Sequence, residues 1–330
     1  GVPGSGIDIQ VTGNVTVDHY SHVGTNVLNG VTDDSGGVRI TANQLRVDNN
    51  AQIESIAFGA WEEDPASSGN SGNIQVNTNS LLLDEFGGIY TATGGSGDSG
   101  GISINTGLME VRNGSYVYTK AFGGSGKAGN IEVNADHILV ANENHPGDLT
   151  GILSETTWPG TGQSGDITVN SKDLRIFPGS EISTTTFNVG ACGVLVVNVE
   201  GDAYIEGTKK ETPSGDPIYT GISANTFWEG DGSRLELAAE NLVMINDASI
   251  LAMTFATGNA GDCSVVAGSL EVKDGSLIST SGLFGNGGDS GNLEIVADHI
   301  MLSGPESSLD PFRAGFTGFS SNNKTVKPVI

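Results

Sequence analysis

With 330 residues, 36% of them apolar, the chain is long enough to bury a sizeable core. Fifty glycines and ten prolines exclude a helical protein, and they follow no collagen period. A net charge of −25 makes nucleic acid and anionic membranes poor partners, and divalent cations or neutral or cationic surfaces better ones.

No apolar run approaches the roughly 18 residues of a membrane helix, and two cysteines do not make a disulfide framework. A start at Gly1 without a charged-then-apolar leader reads as a processed product, a domain or a fragment. The acidic, cysteine-poor composition suits an exported bacterial protein.

Taken in order, the chain repeats one unit. A first short run of alternating apolar residues opens at Ile7, Val38, Ile74, Ile102, Ile131, Ile167, Leu195, Leu235, Cys263 and Leu293. A second opens at Val15, Leu45, Leu81, Met109, Ile138, Leu174, Ala203, Leu242, Leu270 and Ile300. In eight of ten units the second lies seven residues after the first. A third opens at Val23, Ile53, Ile89, Val117, Ile152, Ile182, Ile222, Ile250 and Ile278, with a degraded copy expected near Leu309.

Period-2 alternation puts one set of side chains inward and the other into solvent. No single unit buries its apolar face, but stacked units do. The expectation is an all-β, three-sided parallel β-solenoid of about ten coils, with a minimal coil of 28 residues as between Ile74 and Ile102. Turn residues fall between runs two and three at Asn113-Gly114, Pro178-Gly179, Asp247-Ala248 and Asp274-Gly275. Gly-rich bends such as GGSGDSG (94–100) and GGSGKAG (123–129) lead back to the next coil. The third run carries a small or hydroxyl column (Ser55, Thr91, Thr119, Ser154, Thr184) and a Phe column (Phe58, Phe122, Phe187, Phe227, Phe255), read as structural stacks.

Units such as GNIEVNADHILV, GDITVNSKDLRI and GDCSVVAGSLEVKDGSLISTS resemble repeats of filamentous-haemagglutinin-like, two-partner-secretion exoproteins of bacteria. The likeness covers roughly residues 6–303. It implies a right-handed parallel β-helix on the cell surface or in the extracellular matrix, used as an adhesin or fibrous component. The family's Asn-Pro-Asn-Gly-Ile secretion motif is not found, so the chain reads as a repeat-region segment or a relative exported another way.

Residues 1–303 are therefore expected to form one solenoid domain, interrupted by insertions at 57–71, 141–151 and 206–221. Loops on a rigid scaffold are the usual home of function. The last two insertions share a corner two coils apart, which would let Glu143, His145 and Asp148 face Lys209, Lys210 and Glu211. A base beside a cation is what a polysaccharide lyase needs. The Arg/Lys-rich cleft such an enzyme uses is missing, and decorated surface loops are the alternative. Tyr90 and Tyr118, one coil apart, are spaced to stack on a sugar ring or on each other.

Asp98, Asp166, Asp262 and Asp289 gather at the Gly-rich edge with Asp33, Asp34, Glu62, Glu63, Asp64 and Asp231. They suit calcium or a solvated acidic edge. His19 and His22 have only a loose metal-ligand spacing, and Asp136-His137 and Asp298-His299 read as repeat grammar. Residues 304–330 lose the repeat but keep Phe312, Phe316 and Phe319. They are expected to cap the last coil or, through Lys324–Ile330, to pair with a second copy. The functional expectation is an extracellular structural or adhesive rod that assembles with itself. The alternative is a glycan-binding or glycan-degrading β-helix.

Overall fold

The computed structural model describes residues 5–60, 66–212, 218–282, 288–304 and 317–321. Among them every strand pairs in parallel with the equivalent run of the next coil. They form a parallel β-solenoid, with no helix among the described residues. The first-run column is continuous in register from Ile7 to Leu293. The second is continuous from Val15 to Ile300, and the third from Val23 to Ile278. Inward Ile, Leu and Val of the middle coils are fully buried. Each contributes roughly 1.5–3 kcal/mol by leaving water.

Three inward faces rest on two hydrogen-bonded sheets. Third runs form one sheet, and first and second runs share the other. In coil 3 the shared sheet has separate strands, Ile74–Asn77 and Ser80–Leu83, but in coil 4 they fuse into Ile102–Arg112. In the fused strand Ile131–Ala141 the alternation slips once. Asp136 and His137 both face solvent between inward Ala135 and Ile138, so the chain rounds a corner without leaving the ladder.

At the corner between runs two and three, coil 6 has positive φ only at Gly179 of Pro178-Gly179, whereas coils 1–4, 8 and 9 are built there on two successive residues of positive φ. These are Asn49-Asn50 (51°, 61°), Asn113-Gly114 (49°, 78°) and Asp274-Gly275 (52°, 91°). The same positions hold His19-Tyr20, Glu85-Phe86 and Asn246-Asp247, so the coil 8 turn lies one residue before its expected place. Left-handed backbone costs a non-glycine residue roughly 1–2 kcal/mol. A preceding aspartate offsets this: Asp18, Asp48 and Asp84 accept the N–H of His19, Asn49 and Glu85 at 2.8–3.0 Å.

Where that corner is expanded, the chain rejoins the third sheet through Thr-Gly. Thr150 and Thr220 accept the backbone N–H of Gly114 and Gly179 in the coil below, at 2.8 and 2.9 Å. Thr317 does the same for Gly275 at 2.8 Å. The strand Gly318–Ser320 then pairs with Leu277–Ser279, placing Phe319 above Ile278 as the tenth inward anchor. The solenoid therefore runs to Ser320, and part of the expected tail at 304–330 is its last rung. Leu309, Phe312, Phe316 and Lys324–Ile330 lie outside the described residues.

Replacing Thr220, which is 1% exposed, with valine leaves the Gly179 N–H without its acceptor. A loss of about 1–3 kcal/mol is expected in a thermal or denaturant melt. The isosteric change isolates the hydroxyl.

The Gly-rich return is held from inside. Thr91, Thr119 and Thr184 donate to the carbonyls of Gly100, Gly129 and Gly193 at 2.6–3.1 Å. Stacked returns come so close that a Cβ on Gly165 would lie 1.9 Å from the Gly129 carbonyl oxygen.

Candidate functional site

Where the regular coils are interrupted, the third face becomes a groove. Insertion 141–151 and the described parts of 206–221, residues 206–212 and 218–221, rise from one corner two coils apart, and Gly147 lies against Thr212. Between them and the strands of coils 5–8 is a groove of about 830 Å³. Its floor is the outward row of the third sheet: Leu153 and Glu155 on Gly151–Thr156, Glu181, Ser183 and Thr185 on Glu181–Thr186, Ser223 and Asn225 on Gly221–Thr226, and Leu251 on Ser249–Leu251. Leu149, Ile218 and Tyr219 stand on the insertion side. Phe187, Phe227 and Phe255 form the other side, with ring centroids 4.7 and 4.4 Å apart and planes 15° and 4° from parallel.

The carboxylates of the floor have unlike surroundings. Glu155 accepts the Tyr118 phenol and lies 4.0 Å from Lys120 Nζ. Among the described residues no cation acts on Glu181, one coil up. Burial, and then the negative charge of Glu155, push its carboxyl up to about 7 against the pull of the Ser183 hydroxyl.

The sequence-predicted residues are placed differently. The loops meet as expected, but Glu143, His145 and Asp148 do not converge on Lys209 and Lys210. Asn142 Nδ2 donates to the carbonyls of His145 and Asp148 at 2.6 and 3.0 Å, which curls the loop. His145 thereby packs on Phe86, with rings 4.5 Å apart, and pairs with Glu85 at 2.9 Å. Glu143 lies 3.7 Å from Arg112. Asp148 alone of the three lines the groove. Lys209 acts on Asp247 of coil 8, where its charge partly offsets the upward push of burial, and the Lys210 backbone N–H bonds Thr208 Oγ1 at 3.1 Å.

Tyr90 and Tyr118 pack against each other and Tyr116, with centroids 5.5–6.4 Å apart. At 7% exposure Tyr118 is no open sugar platform; it buttresses Glu155 instead.

The acidic edge has a structural use. Asp98, Asp166 and Asp262 accept the backbone N–H of Lys127, Val194 and Asn292 in the next coil at 2.7–2.9 Å. Asp289 donates its own N–H to Asn259 at 2.9 Å, and Asp34 and Asp231 accept from Asn70 and Asn259. Among the described residues no three His, Cys, Asp or Glu side chains are grouped to hold a metal, and Glu62, Glu63 and Asp64 lie outside them. His19 pairs with Asp18 and His22 with Glu54. Asp136 and His137 are engaged by Lys172 and Asp173. Cys192 and Cys263 are free, buried thiols, which burial pushes up to about 11 and about 12.

Two features escaped the sequence reading. An asparagine ladder, Asn77-Asn105-Asn134-Asn170-Asn198, runs up the outer face of the shared sheet with amide contacts of 2.9–3.3 Å. Its signal was an Asn three residues after each anchor from Ile74 to Leu195. Glu181 was the other. Its signal was a lone carboxylate opening a third run whose other outward residues are Ser183 and Thr185. No family model, curated protein or solved structure matches this chain.

Proposed function

We propose that the protein is an extracellular structural and adhesive solenoid of a bacterial surface or matrix, whose rigid rod is itself the main function. The observation that carries this reading is the unbroken stacking of all three inward columns across the described coils. The regular outer positions are spent on holding coils together, through the asparagine ladder and the edge aspartates. The last coil leaves Ile300 and Leu302, which stand over the buried Leu270 and Val272, about half exposed. That apolar end supports stacking against further coils, including those of a second copy.

Negative-stain electron microscopy and light scattering of the purified protein test the reading. Rods that lengthen with protein concentration are expected. Compact particles of constant mass would remove self-assembly from it.

A second reading, recognition of an extracellular glycan, is favoured by the groove on the third face. Its size and its mixture of apolar walls with a few polar floor groups match those of ligand sites. Lyase chemistry has less support, because the described lining residues include no Lys or Arg. Binding of oligosaccharides, followed with a search for cleaved products, tests recognition and turnover together.

A further inference from the structure

We infer that the groove binds a linear glycan containing free amino sugars, with ammonium groups held on the acidic floor at Glu155 and Glu181 and the sugar rings running along the Phe187-Phe227-Phe255 wall. The inference rests on the glycan reading and names its ligand class. Three observations carry it.

The first is shape. The groove crosses coils 5–8, about three coil spacings or ~14 Å, so it suits an extended chain rather than a single small molecule. The second is the pair of apolar walls. Phe187 and Phe227 remain 38% and 37% exposed at the ring edges, and Tyr219 opposite them is 70% exposed. Ribbed aromatic surfaces facing a polar floor fit rings that have one apolar face and a hydroxyl rim.

The third is charge. The carboxyl-bearing and basic residues among the described lining are Asp148, Glu155 and Glu181, all acidic. The nearest described cation, Lys120, sits on the far side of Glu155, 4.0 Å from it. Acidic polysaccharides are repelled by such a floor, and by a chain of net charge −25. A neutral sugar gains hydrogen bonds there but leaves the acidic floor without a counter-charge. An ammonium supplies that counter-charge and forms charge-assisted hydrogen bonds.

Titration calorimetry on the full chain at near-physiological salt tests this with three probes: a glucosamine oligomer, its fully N-acetylated counterpart and an oligogalacturonate. The glucosamine oligomer is expected to bind about tenfold or more tighter than the acetylated one, a difference of one strong contact, and the oligogalacturonate not at all. Glu181→Gln and Glu155→Gln should each cost the glucosamine oligomer about tenfold and the acetylated oligomer little. Because each removes one of 39 acidic residues, general attraction of a polycation would barely register the change. Phe227→Ala should weaken both oligomers.

Equal affinity for the two oligomers would overturn the amino-sugar assignment and leave glycan recognition standing. Failure of all three probes to bind would overturn both. Oligolysine binding as tightly as the glucosamine oligomer, and just as sensitive to Glu181→Gln, would show recognition of charge alone and overturn the sugar assignment.

Discussion

Replacing Ile182 with aspartate will abolish cooperative unfolding of the solenoid. Ile182 is 0% exposed in coil 6, in register between Ile152 below and Ile222 above. Truncation to alanine removes apolar burial and leaves a cavity, at a cost of about 2–5 kcal/mol, whereas valine costs about 0.5–1.5. Aspartate adds the desolvation of a charge with no partner, several kcal/mol more. In a stacked array each coil is stabilised mainly by its neighbours, so a failed middle coil uncouples the two halves. Circular dichroism melts should therefore rank wild type, valine, alanine and aspartate in that order. Limited proteolysis of the aspartate variant should open near coil 6. An aspartate variant melting with wild type would mean that the column through Ile182 is not the core.

The second large effect is tied to pH. Glu181 has a folded-state pKa raised to about 7, so the folded protein holds this proton more tightly than the unfolded chain. The group's contribution is neutral below the unfolded value of about 4.3, turns unfavourable as pH rises, and is fully unfavourable above about 7. At about 1.4 kcal/mol per unit, the ceiling on the penalty is about 4 kcal/mol. Glu181→Gln removes the charge and keeps the shape. Its melting temperature should equal that of wild type near pH 4 and exceed it at pH 8. The difference between the two proteins isolates this group from the other carboxylates. Glu155→Gln, which removes the second cause of the shift, should flatten the wild-type decline only in part. A Gln variant no more stable than wild type at pH 8 would show that Glu181 is not desolvated.

How far the architecture was legible follows from particular residues. Every inward anchor from Ile7 to Leu293, Val15 to Ile300 and Val23 to Ile278 was readable, because alternation is a property of neighbouring residues and recurs at fixed spacing. Asn113-Gly114 and Asp274-Gly275 were readable as turns because their chemistry favours positive φ. His19-Tyr20 and Glu85-Phe86 adopt the same backbone without that chemistry, held by Asp18 and Asp84 and by their neighbours in the stack. The tenth third run was missed because its inward residue is Phe319 and a long insertion precedes it. The Thr-Gly that closes each expanded corner, Thr150-Gly151, Thr220-Gly221 and Thr317-Gly318, marked the place.

The sequence by itself determined the rod: which side chains face inward, how many residues make a coil, and on which corner the insertions stand. These follow from local alternation and turn chemistry, repeated until only one stacking buries every column. The tertiary structure alone decided the groove. Glu155 and Glu181 stand 26 residues apart in sequence, on successive strands whose register sets Gly151 beside Glu181 and Glu155 beside Thr185, and they share the groove floor only because the coils stack. The curl of the 141–151 loop around Asn142 carried His145 down to Glu85 and left Asp148 and Leu149 beside the groove. No periodicity encodes such a curl, because it depends on which backbone carbonyls one side chain reaches.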